Sequence, residues 1–281
     1  FVATHKGNGK GKRMLLIAHV DTVFEASSPF KKFMLEKDKA TGPGTIAKGD
    51  RAIGPGVVDD KGGIAVIVAA LRAMQKAGTL KGADITVMFT GDEEKTGDPI
   101  PLARRDLIED NLTFNVGVIG GGTPATIDTD GVKIEAAGKT NVIPAQAIAR
   151  GDLRSLTPEQ DAAARAKMLA ITAQHLPGTS ATLTFQDNTP PMAPTAGNRA
   201  LLTRVNAINR DMGLPEMAEY PPAKRGAADS SFVAAYADTL AGMGPVGGTL
   251  HAEGEWLNLP SIAVQAKRSA ILMSRLAREK R

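Results

Sequence analysis

An apolar run, a helix-length apolar stretch and a second apolar run follow one another near the start of this chain, and that order restricts the fold more than any other feature. Arg13 to Val20 (RMLLIAHV) reads as a buried strand after a Gly/Lys-rich turn. Gly42 to Gly56 is a loop rich in Gly and Pro. Gly62 to Lys76 (GGIAVIVAALRAMQK) has the length and composition of a helix and meets a stop at Gly78, and Asp84 to Thr90 (DITVMFT) reads as a second buried strand. Pro101 to Asp110 reads as a short polar helix. Strand, helix, strand, helix predicts a βαβ unit and an α/β fold whose mainly parallel sheet is covered on both faces. Composition agrees: 42% of residues are hydrophobic but only 4% aromatic, so the core is built of Ala, Val, Ile and Leu, which suits helices on a buried sheet.

The chain from Asn111 to about Phe185 differs in character. Thr113–Ile119 and Ile143–Leu153 read as strands separated by a turn-rich stretch, GGGTPATIDTDG. Thr157-Pro158-Glu159-Gln160 is a helix start, with Thr as N-cap, Pro at the first helical position and Gln three residues after the cap. That helix is expected to run to about His175, stop at Pro177-Gly178, and precede a strand at Ala181–Phe185. This block reads as a small separate α+β unit. Helical patterns resume at Asn198–Met212, Asp229–Leu240 and Pro260–Lys280. At 281 residues there is room for one large domain or two modest ones.

Several function classes drop out. Lys plus Arg (34) exceed Asp plus Glu (30) by only 4, and the surplus is scattered, so nucleic acid is not an expected partner. No apolar run approaches the roughly 18 residues of a membrane span. With no Cys, disulfides, thiolate metal sites and Cys nucleophiles are excluded. There is no signal-peptide pattern, but the chain opens with Phe1, so the natural N-terminus is expected to be missing. The compartment stays open between periplasmic or secreted and cytoplasmic.

Chemistry concentrates in four places. At the end of the first strand, the period of two puts His19 and Asp21 on one side, where the carboxylate can accept one ring N–H and leave the other nitrogen for a metal. In Gly54–Gly63 (GPGVVDDKGG) two acids precede an apolar helix. Capping accounts for one of them, Asp60, and leaves Asp59 free at the sheet edge where α/β proteins bind ligands. After the second strand, Glu93 and Glu94 point opposite ways in extended chain, so one can bind a metal while the other moves a proton. His251 lies in a Gly-rich loop, GGTLHAE, before the last helix. Each feature alone has a plainer reading: a hydrogen-bonded strand-end His, a helix cap, a solvated acidic turn, an exposed loop His. Together His19, Asp59, Glu94 and His251 are the nitrogen and oxygen donors expected of zinc or a similar divalent ion. Gly7–Lys12 and Gly120–Gly122 mimic phosphate loops, but neither links a strand to a helix, and both read as turns.

These motifs in this order, HVDTV, GPGVVDDKGG and FTGDEEKTGD, resemble the M20 metallopeptidase family, and within it the glutamate carboxypeptidase (carboxypeptidase G2-like) branch. KTNVIP at 139–144, GDLR at 151–154, GAAD at 226–229 and the late His251 add to a resemblance that covers nearly the whole chain. It implies a catalytic α/β domain at 1–110 and 187–281, interrupted by a lid and dimerisation domain at 111–186. It also implies two zinc ions per chain, for which cobalt or manganese can substitute, and a homodimer through the lid. By position, His19 and His251 become ligands of different zincs, Asp59 the bridging carboxylate, and Glu94 a further ligand. Glu93 becomes the general base, Asp21 the orienter of His19, and Asn141 and Arg154 lid residues that hold a substrate carboxylate. The implied reaction is hydrolysis of an amide beside a free carboxylate, releasing a C-terminal Glu-type residue from a small peptide or N-acyl amino acid.

The chain also departs from the pattern. The family carries another acidic ligand after the helix that here ends at Glu109-Asp110, and then a first lid half with a substrate-reaching His. Here Leu107–Asp110 runs straight into Asn111–Phe114, which resembles the second lid half. His5 and His175 do not suit the missing role. Either the sequence omits segments of the protein that are joined at Asp110–Asn111, the reading that a structureless junction inside a two-domain enzyme favours, or the chain is a truncated variant. The alternatives are an aminoacylase or deacylase of the same family, and a non-catalytic metal- or peptide-binding remnant.

Overall fold

The structure, a computed structural model, describes residues 1–24, 26–36, 50–91, 94, 109–129, 131–224 and 226–280. Residues 101–108 of the expected helix at Pro101–Asp110 and residues 42–49 of the Gly42–Gly56 loop lie outside them, while Arg51–Ile53 within that expected loop is a strand. The chain divides into two compact units: Phe1–Lys95 with Ala196–Glu219 and Ala237–Arg281, and Thr96–Thr195 with Tyr220–Tyr236.

In the first unit, β1 (Val2–His5), β2 (Arg13–His19) and β5 (Asp84–Thr90) form a sheet in the order β1-β5-β2. β2 and β5 run parallel, in register from Arg13↔Asp84 to His19↔Thr90, with α1 (Lys61–Lys76) between them in the chain. The predicted βαβ unit is thus present, while β1 joins β5 antiparallel. A second sheet, β10-β11-β4-β3, is antiparallel throughout and was not foreseen: β3 (Met34–Leu35), β4 (Arg51–Ile53), β10 (Gly247–Gly248) and β11 (Trp256–Asn258) are too short to show a period. The sheet content among the described residues is therefore mixed, with β2–β5 as its parallel ladder.

The core follows from spacing. Gly62, Val66, Ala70 and Met74 recur every four residues along α1 and are buried on one face. That face packs with Ile85 and Val87 of β5 and with Ala266, Ala270 and Met273 of α5 (Leu259–Leu276). A large aliphatic side chain buried this way stabilises by roughly 1.5–3 kcal/mol. A second cluster joins Leu272 of α5 to Val205 and Ile208 of α3 (Ala196–Asp211). The Gly7–Lys12 segment serves the core as a turn: Gly7 N–H donates to Asp84 Oδ1 at 2.8 Å and Lys12 N–H to Leu276 O at 3.2 Å.

In the second unit, β6 (Thr113–Gly122) pairs antiparallel with β9 (Gln146–Arg154), and β7 (Ala125–Ile127) with β8 (Ile134–Ala136). Gly120–Gly122 belong to β6 and are not a turn: they pair with Ile148, Ala147 and Gln146. Glycine is required there by close approach, since a Cβ on Gly122 would stand 2.4 Å from Ala137 O. α2 (Pro158–Thr172) starts as expected, with Gln160 N–H donating to Thr157 Oγ1 at 3.1 Å, and ends three residues before His175. Two expectations fail. Ala181–Phe185 forms no strand; its alternation finds no ladder, and Phe185 instead packs under the Arg165 guanidinium at 5.1 Å. The helix expected over Asp229–Leu240 shrinks to α4 (Ser230–Val233), because the chain leaves the second unit after Tyr236 and Thr239 N–H is drawn to Asn198 Oδ1 at 2.8 Å.

Candidate metal centre

Parallel pairing of β2 and β5 sends both chains out of the sheet at the same edge, the place where ligands meet α/β sheets. His19 closes β2, and Val20 N–H still bonds Thr90 O at 3.0 Å, so the segments leaving the two strands stay side by side. His19 is buried, 6% exposed, and both ring nitrogens face carboxylates. Nδ1 lies 3.2 Å from Asp21 Oδ1 and Nε2 lies 3.2 Å from Asp59 Oδ1. The other Asp21 oxygen accepts the Glu94 N–H at 2.9 Å, tying the end of one strand to the segment following the other.

Asp59 stands in the turn before α1, and the Asp59–Asp60 peptide is cis. Its second oxygen, Oδ2, faces His251 Nε2 at 3.1 Å, and that nitrogen lies 3.4 Å from Glu94 Oε2. Asp60 holds the N-cap position of α1 without a side-chain capping bond. His251 comes from the loop between β10 and β11, with a left-handed backbone (φ 61°). The register Ile53↔Trp256 sets the end of β4 beside the start of β11, so the loops carrying Asp59 and His251 leave one sheet together.

Electrostatics distinguishes the carboxylates. The hydrogen bond from His19 outweighs burial at Asp59 and holds it below the ordinary aspartate value. At Asp21, burial works upward, but the Glu94 N–H and the His19 imidazole outweigh it and keep the carboxyl low. Burial raises Glu94, with Asp59 adding to the effect against His251. Burial, aided by the Asp59 charge, pushes Asp60 up to about 6. One ligand atom each from His19, Asp59 and Glu94 lies within 4.8 Å of the others. Imidazole nitrogen and carboxylate oxygen are a donor set that fits zinc and similar divalent ions.

The structure thus brings together His19, Asp21, Asp59, Glu94 and His251. Glu93 lies outside the described residues. Asn141, in an exposed turn, and Arg154, at the end of β9 with its Nε 2.7 Å from Asp152 Oδ2, belong to the second unit. Sequence reasoning missed Glu255. This carboxylate, 1% exposed, accepts the N–H groups of Gly56 (3.0 Å), Val58 (2.9 Å) and Asp59 (3.2 Å). The available signal was a Glu set directly before the apolar Trp256-Leu257 of a buried strand.

A family model for peptidase family M20/M25/M40 matches residues 15–275. The chain belongs to that family. Carboxypeptidase G2 of Pseudomonas sp. (strain RS-16) is 38% identical over 109 residues, which are 37% of this chain and 21% of that relative. Succinyl-diaminopimelate desuccinylase of Gluconobacter oxydans (strain 621H) is 45% identical over 49 residues, 17% of this chain and 13% of that relative. The matched stretches therefore span 21% and 13% of those curated relatives. Among solved structures, a Staphylococcus aureus tripeptidase shares the fold with a TM-score of 0.72 at 16% identity, covering 99% of this chain and 84% of that one. A dinuclear metal-binding M20 peptidase of Bacillus subtilis gives a TM-score of 0.56 at 14% identity, covering 98% and 84%. The M20 fold, with mixed α/β content, is the fold of this chain.

Proposed function

We propose that this M20 protein is a metal-dependent hydrolase. It cleaves an amide bond beside a free carboxylate and releases a C-terminal Glu-type residue from a small peptide or N-acyl amino acid. The observation that carries the reading is the convergence on Asp59, whose two oxygens face two different imidazoles at 3.2 and 3.1 Å. With its two oxygens facing these imidazoles, Asp59 would serve as a carboxylate ligand shared by two metal ions, which His19, His251 and Glu94 would also hold. Two zinc ions per chain, replaceable by cobalt or manganese, fit these donors. When bound, such a pair acidifies a water towards neutral pH and polarises the scissile carbonyl.

The chain's own residues do the rest. Asp21 accepts a hydrogen bond from the Nδ1–H of His19 and fixes its tautomer, leaving Nε2 for the metal. Glu93, the sequence neighbour of Glu94, takes the proton of the attacking water and returns it to the leaving amine. Residues 111–186 form the lid between catalytic segments 1–110 and 187–281, and Asn141 and Arg154 hold the substrate carboxylate. A bidentate guanidinium suits that task. The same lid carries a homodimer contact. The 38% identity with a carboxypeptidase supports the Glu-releasing branch. The stretch 45% identical to a desuccinylase favours a second reading, deacylation of N-acylated amino or diamino acids.

Glu93→Ala is expected to abolish hydrolysis and leave bound zinc nearly unchanged; loss of zinc as well would remove Glu93 from the role of base. A panel of C-terminal glutamate dipeptides, N-acyl glutamates and N-succinyl diamino acids separates the two readings. Turnover of none of them, with at most one metal bound per chain, would leave a non-catalytic binding remnant.

A further inference from the structure

Glu255 joins the two loops of the candidate centre, and this follows from its bonds one by one. The segment from Gly54 to Asp60 belongs to no ladder, so the N–H groups of Gly56, Val58 and Asp59 need partners from elsewhere. Glu255 supplies all three: Oε2 accepts from Gly56, and Oε1 accepts from Val58 and Asp59. Its backbone continues the same connection, since Gly54 N–H donates to Glu255 O at 3.1 Å. At its other end, Glu255 N–H closes the His251 loop on Ala252 O at 3.2 Å. A carboxylate 1% exposed is costly to bury unless it is fully hydrogen-bonded, and three donated N–H groups meet that need. Asp59 and His251 are 192 residues apart, and one side chain sets the turn of the first against the loop of the second.

We propose that Glu255 is a positioning residue that presets the Asp59 carboxylate between the imidazoles of His19 and His251 before any metal arrives. The inference rests on the metal-binding reading above. Glu255 acts through the backbone of Asp59, from whose N–H it accepts a hydrogen bond.

Glu255→Gln keeps size and shape but turns one acceptor oxygen into a donor that confronts an N–H. Zinc affinity, measured by titration of the metal-free protein, is expected to fall about 10–100-fold. Leu257→Ala is the control, a buried residue of the same strand that bonds none of the three N–H groups. It is expected to lower the melting temperature while leaving zinc affinity within about twofold of wild type. The fluorescence of Trp256, the single tryptophan, reports the folding of both variants. Wild-type zinc affinity in Glu255→Gln, or an equal loss in both variants at matched stability, overturns the proposal.

If Glu255→Gln does not fold, amide exchange on the metal-free wild type decides instead. Protection of the Gly56, Val58 and Asp59 amides that zinc leaves unchanged supports a preset turn; free exchange until zinc is added refutes it. A wild type that binds no zinc sinks the metal reading, and the same exchange measurement still decides the role of Glu255.

Discussion

Asp21 shows how much a single side chain does at this centre. One oxygen faces His19 Nδ1 and the other accepts the Glu94 N–H, so it meets the imidazole of one candidate ligand and the backbone of another. Its side chain is 14% exposed and sits at the edge of the sheet, outside the apolar clusters. Asp21→Asn is therefore expected to fold normally but to hold zinc about 10–100-fold more weakly, because the amide can present a donor where an acceptor is needed. Metal analysis after dialysis against graded zinc checks this. Unchanged retention would mean that His19 is oriented by Asp59 alone. The pair was legible because a strand has a side-chain period of two, which puts positions 19 and 21 together whatever the rest of the chain does.

Among the elements, α5 contributes to both apolar clusters, packing with α1 and β5 through Ala266, Ala270 and Met273 and with α3 through Leu272. Between α5 and α3 lies Arg268, 9% exposed, whose Nε donates to Oδ1 of the fully buried Asn209 at 2.7 Å. Burial lowers the Arg268 pKa, so this guanidinium depends on its neutral partners. Asn209→Ala is expected to cost about 2–3 kcal/mol by leaving a buried cation short of an acceptor. Arg268→Met is expected to cost less, because it removes the charge and keeps an apolar chain of similar length. Urea denaturation of both variants tests the order, and the reverse order would show that the helices are joined by the guanidinium itself. Neither residue stood out in the sequence, where Asn209 and Arg268 look like ordinary polar positions of two helices.

For the molecule as a whole, the two units make a division of labour testable. His19, Asp21, Asp59, Glu94 and His251 all belong to the first unit. Zinc at about 100 times its Kd is expected to stabilise that unit by about 2.7 kcal/mol, and a chelator to remove the gain. Calorimetry should show the transition of the first unit shifting while that of residues 96–195 and 220–236 stays in place. No shift on adding zinc would mean that these donors do not hold the ion. The sequence by itself determined what depends on local period and local chemistry: β2, α1, β5, the Thr157 start of α2, α5, and the residue types of the centre. Tertiary structure alone decided what depends on a distant partner. Gly120–Gly122 became strand because β9 pairs with them and Ala137 crowds Gly122, whereas Ala181–Phe185 kept its alternation and remained without a ladder. Glu255 stayed hidden for the same reason: its three N–H partners lie 196 to 199 residues away in the chain. A periodic pattern records which face of an element is buried, but it carries no record of which backbone groups will need a carboxylate once two remote loops meet.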